Sequence, residues 1–136
     1  PMHLGGILPF PFGKVRVTPA FHGSGIAGGH ACGFIVDFYG TTVYFAGDTC
    51  IFGDMSLLAK LEKIDYAVLP IGNTFTMGPE DACLADQRLY VKKVIQVHNS
   101  TRPKRAQDPQ AFKAAVERDG VAKVFVVAPG ESLTLD

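Results

Sequence analysis

The chain has 136 residues, 47% of them hydrophobic and 19% charged, a balance that buries a single-domain core and excludes a disordered chain. Thirteen basic residues offset thirteen acidic ones, so the formal net charge is zero, which leaves no electrostatic footprint for nucleic acid or an anionic membrane. No apolar run approaches the ~20 residues that span a bilayer, no basic-then-apolar leader stands at the start, and Cys32, Cys50 and Cys83 contain no CxxC pair, so a reducing cytoplasm is the expected setting.

Residues 1–13 are rich in Gly, Pro and Phe and read as an irregular lead-in with room for one edge strand. Val15, Val17 and Thr18 alternate as in a strand that stops near Pro19. The run Gly23-Ser24-Gly25-Ile26-Ala27-Gly28-Gly29 has few side chains to hold one conformation and reads as a loop. Cys32 to Phe38 and Thr42 to Ala46 are β-branched and aromatic and flank Tyr39-Gly40-Thr41, the pattern of a hairpin. Gly47-Asp48-Thr49 follows directly. Asp54 or Ser56 is placed to cap a helix over 55–63 with Leu57, Leu58 and Leu61 on one face.

Tyr66 to Pro70 has the composition of a buried strand, and the loop after it runs from Ile71 to Gly78. Pro79 suits the first position of a helix reaching about Tyr90, with Glu80 and Asp81 at its positive end. Lys93 to Val97 is a strand closed by His98. After the polar loop Asn99 to Gln107, Asp108 caps and Pro109 opens a helix that ends near Gly120. Val124 to Val127 and Ser132 to Leu135 complete the pattern as two strands about the Pro129-Gly130 turn. The order, strands first and then alternating helix and strand, predicts an α/β (α+β) fold: one mixed sheet with helices on one face, a single domain over 1–136.

Three residues share one kind of location. His22 follows the strand at 15–18, Asp48 the strand at 42–46, and His98 the strand at 93–97. Ligands of α/β sheets gather outside the carboxyl ends of strands, and imidazole and carboxylate both ligate zinc and related divalent ions. The same residues also have plainer uses: a histidine after a strand is commonly structural or solvent-facing, and Asp in a Gly-Asp-Thr turn bonds its own backbone. His30 and His3 fit a metal set less well. Cys50 is close to Asp48 but reads as a small apolar filler, and Cys83 as core. There is no nucleophile elbow, Walker loop or dinucleotide fingerprint. Arg102, Lys104 and Arg105 form a small basic cluster in a solvated loop.

The segments Ala46-Gly47-Asp48-Thr49, Phe52-Gly53-Asp54-Met55, Leu69-Pro70-Ile71-Gly72-Asn73 and Phe75-Thr76-Met77-Gly78-Pro79-Glu80-Asp81-Ala82 resemble the UPF0173 metal-dependent hydrolases of the metallo-β-lactamase superfamily, over about Gly13 to Leu135. The resemblance implies the C-terminal half of that superfamily's αββα sandwich. It implies metal ligation by His22, Asp48 and His98, Asp48 bridging two ions, and a substrate-facing loop with Asn73, Thr76 and Met77. It implies a divalent cofactor, Zn or Mn. The superfamily's HxHxDH motif supplies most ligands, and no HxH occurs here, so the site is expected to be incomplete and the chain inactive alone. Asn73 stands where the family usually has Asp. With the other half absent, the inner sheet face is expected to pair with a second copy, as a homodimer, or with an N-terminal half chain. A non-catalytic homodimeric binding module is the competing reading, and a site reassembled across two copies is a third.

Overall fold

The structure, a computed structural model, describes residues 1–100, 103, 106–118 and 121–136. Seven strands form one sheet in simple chain order: β1 (Ile7–Phe10), β2 (Gly13–Pro19), β3 (Cys32–Phe38), β4 (Thr41–Phe45), β5 (Tyr66–Pro70), β6 (Lys93–Val97) and β7 (Lys123–Phe125). The first four pair antiparallel and the last four parallel. The change of mode has a direct cause in the connections. Two-residue links join β1 to β2 and β3 to β4, and such links can only reverse the chain. Between the later strands lie α1 (Met55–Leu61), α2 (Pro79–Leu89) and α3 (Pro109–Glu117), and a crossover of that length returns the chain in the same direction. The β3–β4 turn places Tyr39 at φ 51° and Gly40 at φ 89°, the pair of positive dihedrals that matches the twist of a two-residue hairpin.

Register sorts the side chains onto two faces. Ile35, Tyr44, Ala67, Val94 and Val124 lie in one row across five strands. They join Met55, Leu58, Ala82, Ala85, Leu89, Phe112 and Val116 of the helices in one core. The helices therefore cover this face. Among the described residues no helix lies over the opposite row, Phe34, Phe45, Val68, Ile95 and Phe125, whose β2 member Val17 is itself buried. Phe34, Phe38 and Phe45 are 40%, 54% and 42% exposed there. Phe12 links Phe10 to Phe38 at ring-centroid distances of 5.1 and 5.3 Å, extending the apolar surface to the β1 edge.

Glu62 ties the end of α1 to the antiparallel half. Lys14 Nζ and Arg16 Nε on β2 donate to its two carboxylate oxygens at 2.8 and 3.0 Å. Burial alone would raise its pKa, but the two cations outweigh burial and hold it below the ordinary value.

The strands at 32–38, 66–70 and 93–97 have the expected limits, and the helix opened by Pro109 starts as expected, where Asp108 Oδ1 accepts from the N–H groups of Gln110 and Ala111, but it ends at Glu117. Other expectations need correction. Leu58 packs inward from α1, but Leu57 and Leu61 are exposed, because Met55 rather than Leu61 shares the buried side. Asp54 sits at the N-cap without a side-chain bond, and Ser56 Oγ donates to Gly53 O instead. Ser132 to Leu135 forms no strand. The segment is held at its end, where Tyr66 Oη and Lys93 Nζ both donate to Asp136 at the start of β5 and β6. Cys50 is exposed rather than a filler. Gly120 and the cluster of Arg102, Lys104 and Arg105 lie outside the described residues. No helix among those residues is long and apolar enough to cross a membrane.

Candidate metal centre

Strands β2 and β4 both run antiparallel to β3, and β5 and β6 run parallel to β4. The carboxyl ends of β2, β4, β5 and β6 therefore open on one edge of the sheet. His22 comes three residues after β2, Asp48 three after β4, and His98 directly after β6. At this edge Asp48 Oδ2 stands 3.9 Å from His22 Nε2 and 3.7 Å from His98 Nε2. Three side chains 26 and 50 residues apart in sequence thus meet around one carboxylate oxygen, all partly open to solvent.

The loops that carry them are bonded to each other. Thr49 is fully buried and acts as the joint. Its Oγ1 accepts from Phe21 N–H at 3.0 Å, beside His22, and donates to Cys50 O at 2.7 Å. Its carbonyl accepts from Met77 N–H at 2.8 Å, which ties in the loop after β5. Gly72 seats His98: a Cβ there would stand 2.4 Å from His98 Nδ1 and 2.7 Å from its carbonyl oxygen. Thr49 and Gly72 belong to the Gly-Asp-Thr and Ile-Gly-Asn strings of the sequence, yet nothing in those strings announces a joint or a close approach.

Backbone strain collects at the same edge. His98, Asn73 and Thr74 have φ of 59°, 58° and 61°, and for a β-branched residue such as Thr74 that region costs about 1–3 kcal/mol. Asn73 partly offsets this by accepting Thr74 N–H on its own Oδ1 at 2.7 Å. Asn73 and Thr76 line the accessible side of this loop, exposed and half-buried. Met77 is 1% exposed and packs in the core, so its side chain supports the loop from beneath.

The donor set fits a divalent ion in kind. His22 Nδ1 lies 2.8 Å from Gly23 O; with the proton on Nδ1, the Nε2 lone pair faces Asp48, the orientation seen in metal-ligating histidines. His98 turns Nε2 the same way, but its buried Nδ1 has no partner. Ligands of a tetrahedral zinc at ~2.0–2.1 Å from the metal stand about 3.3 Å apart. The two contacts to Asp48 are a few tenths of an ångström wider than that. Accordingly, among the described residues no three His, Cys, Asp or Glu side chains close round one point as a finished site. His3 and His30 meet edge to face at 5.7 Å and are both exposed.

Comparison with known proteins identifies the family and the fold. A family model described as a beta-lactamase superfamily domain matches residues 1–99. A UPF0173 metal-dependent hydrolase of Natranaerobius thermophilus is 53% identical over the whole chain, which covers 61% of that relative. One from Symbiobacterium thermophilum is 50% identical over 98% of the chain, again with 61% of the relative covered. Among solved structures, a metallo hydrolase from the archaeon Ignicoccus hospitalis superposes with a TM-score of 0.91 at 37% identity, over 99% of this chain and 60% of that one. The chain thus spans about three-fifths of the length of the curated relatives it matches.

Proposed function

The chain belongs to the beta-lactamase superfamily, its named relatives being UPF0173 metal-dependent hydrolases, and from that premise we propose that it carries part of a hydrolytic metal site and does not turn over substrate alone. His22, Asp48 and His98 are the ligands, Zn or Mn the ion, and Asn73 and Thr76 the substrate-side rim. The convergence of both imidazoles on Asp48 Oδ2 is the observation that carries this reading. A bound divalent ion supplies Lewis acidity toward an ester, lactone, phosphate or amide bond. A catalytic zinc takes three protein ligands and keeps one position open. Three donors shared between two ions leave both short. The incomplete set and the wide spacing support an inactive isolated chain.

The test uses the untagged protein. Elemental analysis and calorimetric titration with zinc and manganese are expected to show weak binding, lost in His98→Ala and Asp48→Ala. A screen of activated esters, lactones and phosphates should show no turnover that the same substitutions remove. Stoichiometric tight metal with turnover abolished in His98→Ala would overturn the inactive reading. No metal response in any protein would remove the site itself.

The uncovered sheet face supports a second element of the proposal: a second copy of this chain seats there, sheet on sheet. Seven strands at ~4.8 Å spacing and about five residues long make a face of roughly 500 Å² in plan. Two such faces remove roughly 1,000 Å² before side-chain relief is counted, the least that a biological interface buries. Sedimentation equilibrium at micromolar concentration is expected to give a dimer, and Phe45→Lys a monomer. A wild-type monomer would refute the pairing. A partner comprising the remaining portion of a relative, added in trans, should compete for the same face.

A further inference from the structure

On the far side of the molecule from the exposed sheet face, α2 and α3 leave a cavity of about 560 Å³ between them, within the ~300–1,000 Å³ usual for small-molecule pockets. Its origin is local. The inward positions of α2 are Ala82, Ala85, Asp86 and Leu89, a helical repeat in which two members are too small to fill the gap to α3. Val91, Ala115, Val116 and Ala122 complete an apolar wall, and Tyr90 stands at the open side.

Asp86 is the member that packing does not explain. It is 7% exposed, and its Oδ1 is wholly enclosed with no hydrogen-bond partner. An ionised carboxylate in such a place is costly unless paired. The other titratable groups lining the cavity are Cys83, Tyr90 and Lys92, and no ion pair joins Lys92 to Asp86. Burial raises the Asp86 pKa to about 6, so the group is charged at neutrality and neutral in mild acid.

We propose that this cavity is a binding site for a small primary amine with an apolar body, its ammonium paired with Asp86 and its body against Val91, Val116 and Ala122. A cation meets the edge of Asp86 that lines the cavity, an apolar frame meets the walls, and an anion is repelled. The site is independent of the strand-end ligands: it is built from the helix layer and requires no metal.

Benzylamine, benzyl alcohol and benzoate serve as probes of one shape and three charges, titrated into isotopically labelled protein and followed by amide chemical shifts. At about pH 7.5, where Asp86 is ionised, benzylamine should give saturable shifts at Cys83, Asp86, Gln87, Tyr90, Ala115 and Val116 with millimolar affinity. Its affinity should fall roughly tenfold in Asp86→Asn and at about pH 5, as expected when a charge-assisted bond is lost. Benzyl alcohol should bind more weakly and be indifferent to the substitution. Absence of saturation at these residues, equal amine affinity in Asp86→Asn, or benzoate binding as tightly as the amine would each overturn the proposal. The pH comparison on the native chain decides the matter should the variant fail to fold.

Discussion

Asp86→Asn should make the protein's stability less sensitive to pH, and the size of the change follows from burial. The carboxyl titrates at 3.8 in its ordinary state and at about 6 in the fold. A shift of roughly two units, at 1.36 kcal/mol each, is about 3 kcal/mol of differential stability. The sign is fixed by proton counting. Between the two values the folded carboxyl still holds a proton that the unfolded one has lost, so stability falls as pH rises from 3.8 toward 6 and is level above. The burden is absent in acid and full at neutrality. Asn keeps the shape and removes the titration, so its own hydrogen-bonding cost is the same at every pH. Urea unfolding followed by circular dichroism, at fixed protein concentration, should show the variant gaining about 3 kcal/mol on the native chain between about pH 3 and pH 7. A constant difference across that range would refute the argument, since it would mean that Asp86 meets the same surroundings folded and unfolded.

Gly72→Ala should spare most of the fold and weaken metal binding, because its Cβ would overlap His98 Nδ1 and carbonyl oxygen and push the imidazole from Asp48; unchanged zinc affinity by calorimetry would show that His98 is not a ligand. Thr49→Val keeps volume but removes the acceptor of the Phe21 N–H and the donor to Cys50 O, costing about 0.5–1.5 kcal/mol per lost bond; thermal melts should show the loss, and metal affinity should fall with it. Glu62→Gln should destabilise the native protein by about 1 kcal/mol at neutral pH. The Glu62 pKa is lowered from 4.5, so that contribution is complete above 4.5 and disappears as pH falls through the lower folded value; melts of both proteins should converge in acid, and a persistent gap would assign the loss to packing.

The sequence exposes strands best where β-branched and aromatic residues fill a run between glycine or proline. Cys32–Phe38, Tyr66–Pro70 and Lys93–Val97 meet that condition, and their limits need no tertiary information. His22, Asp48 and His98 are singled out for a related reason: each lies within three residues of the end of a strand. Their meeting is not legible, because it depends on which strands point the same way. Leu57 and Leu61 were misplaced by a helix of only seven residues, too short for periodicity to choose a face, so tertiary packing chose it. Met77 and Gly72 are invisible for another reason. A loop residue buried in the core, or pressed against an imidazole, is recognised by what lies over it, and no local pattern records that. Ser132–Leu135 has strand composition but forms no ladder, and the segment is held at Asp136 by side-chain bonds.

The apolar face and the ligand edge are two parts of the same strands. Phe45 lies on the uncovered face, three residues before Asp48, and Val97 lies on that face immediately before His98. Val17 shares the row, five residues before His22. Whatever covers the face therefore presses on the strand ends from which all three donors hang. The donors are now a few tenths of an ångström too far apart for a tetrahedral ion, and the loops between them are strained, bonded to each other and partly open to solvent. A sheet seated on the face would exclude water at that edge and limit how far β4 and β6 can splay, while bringing its own side chains toward the same opening. Were the proposed metal site and the proposed pairing both to form, linkage would require each to strengthen the other by the same factor. On this proposal the wide spacing of the donors and the exposed phenylalanines share one origin, an uncovered sheet face.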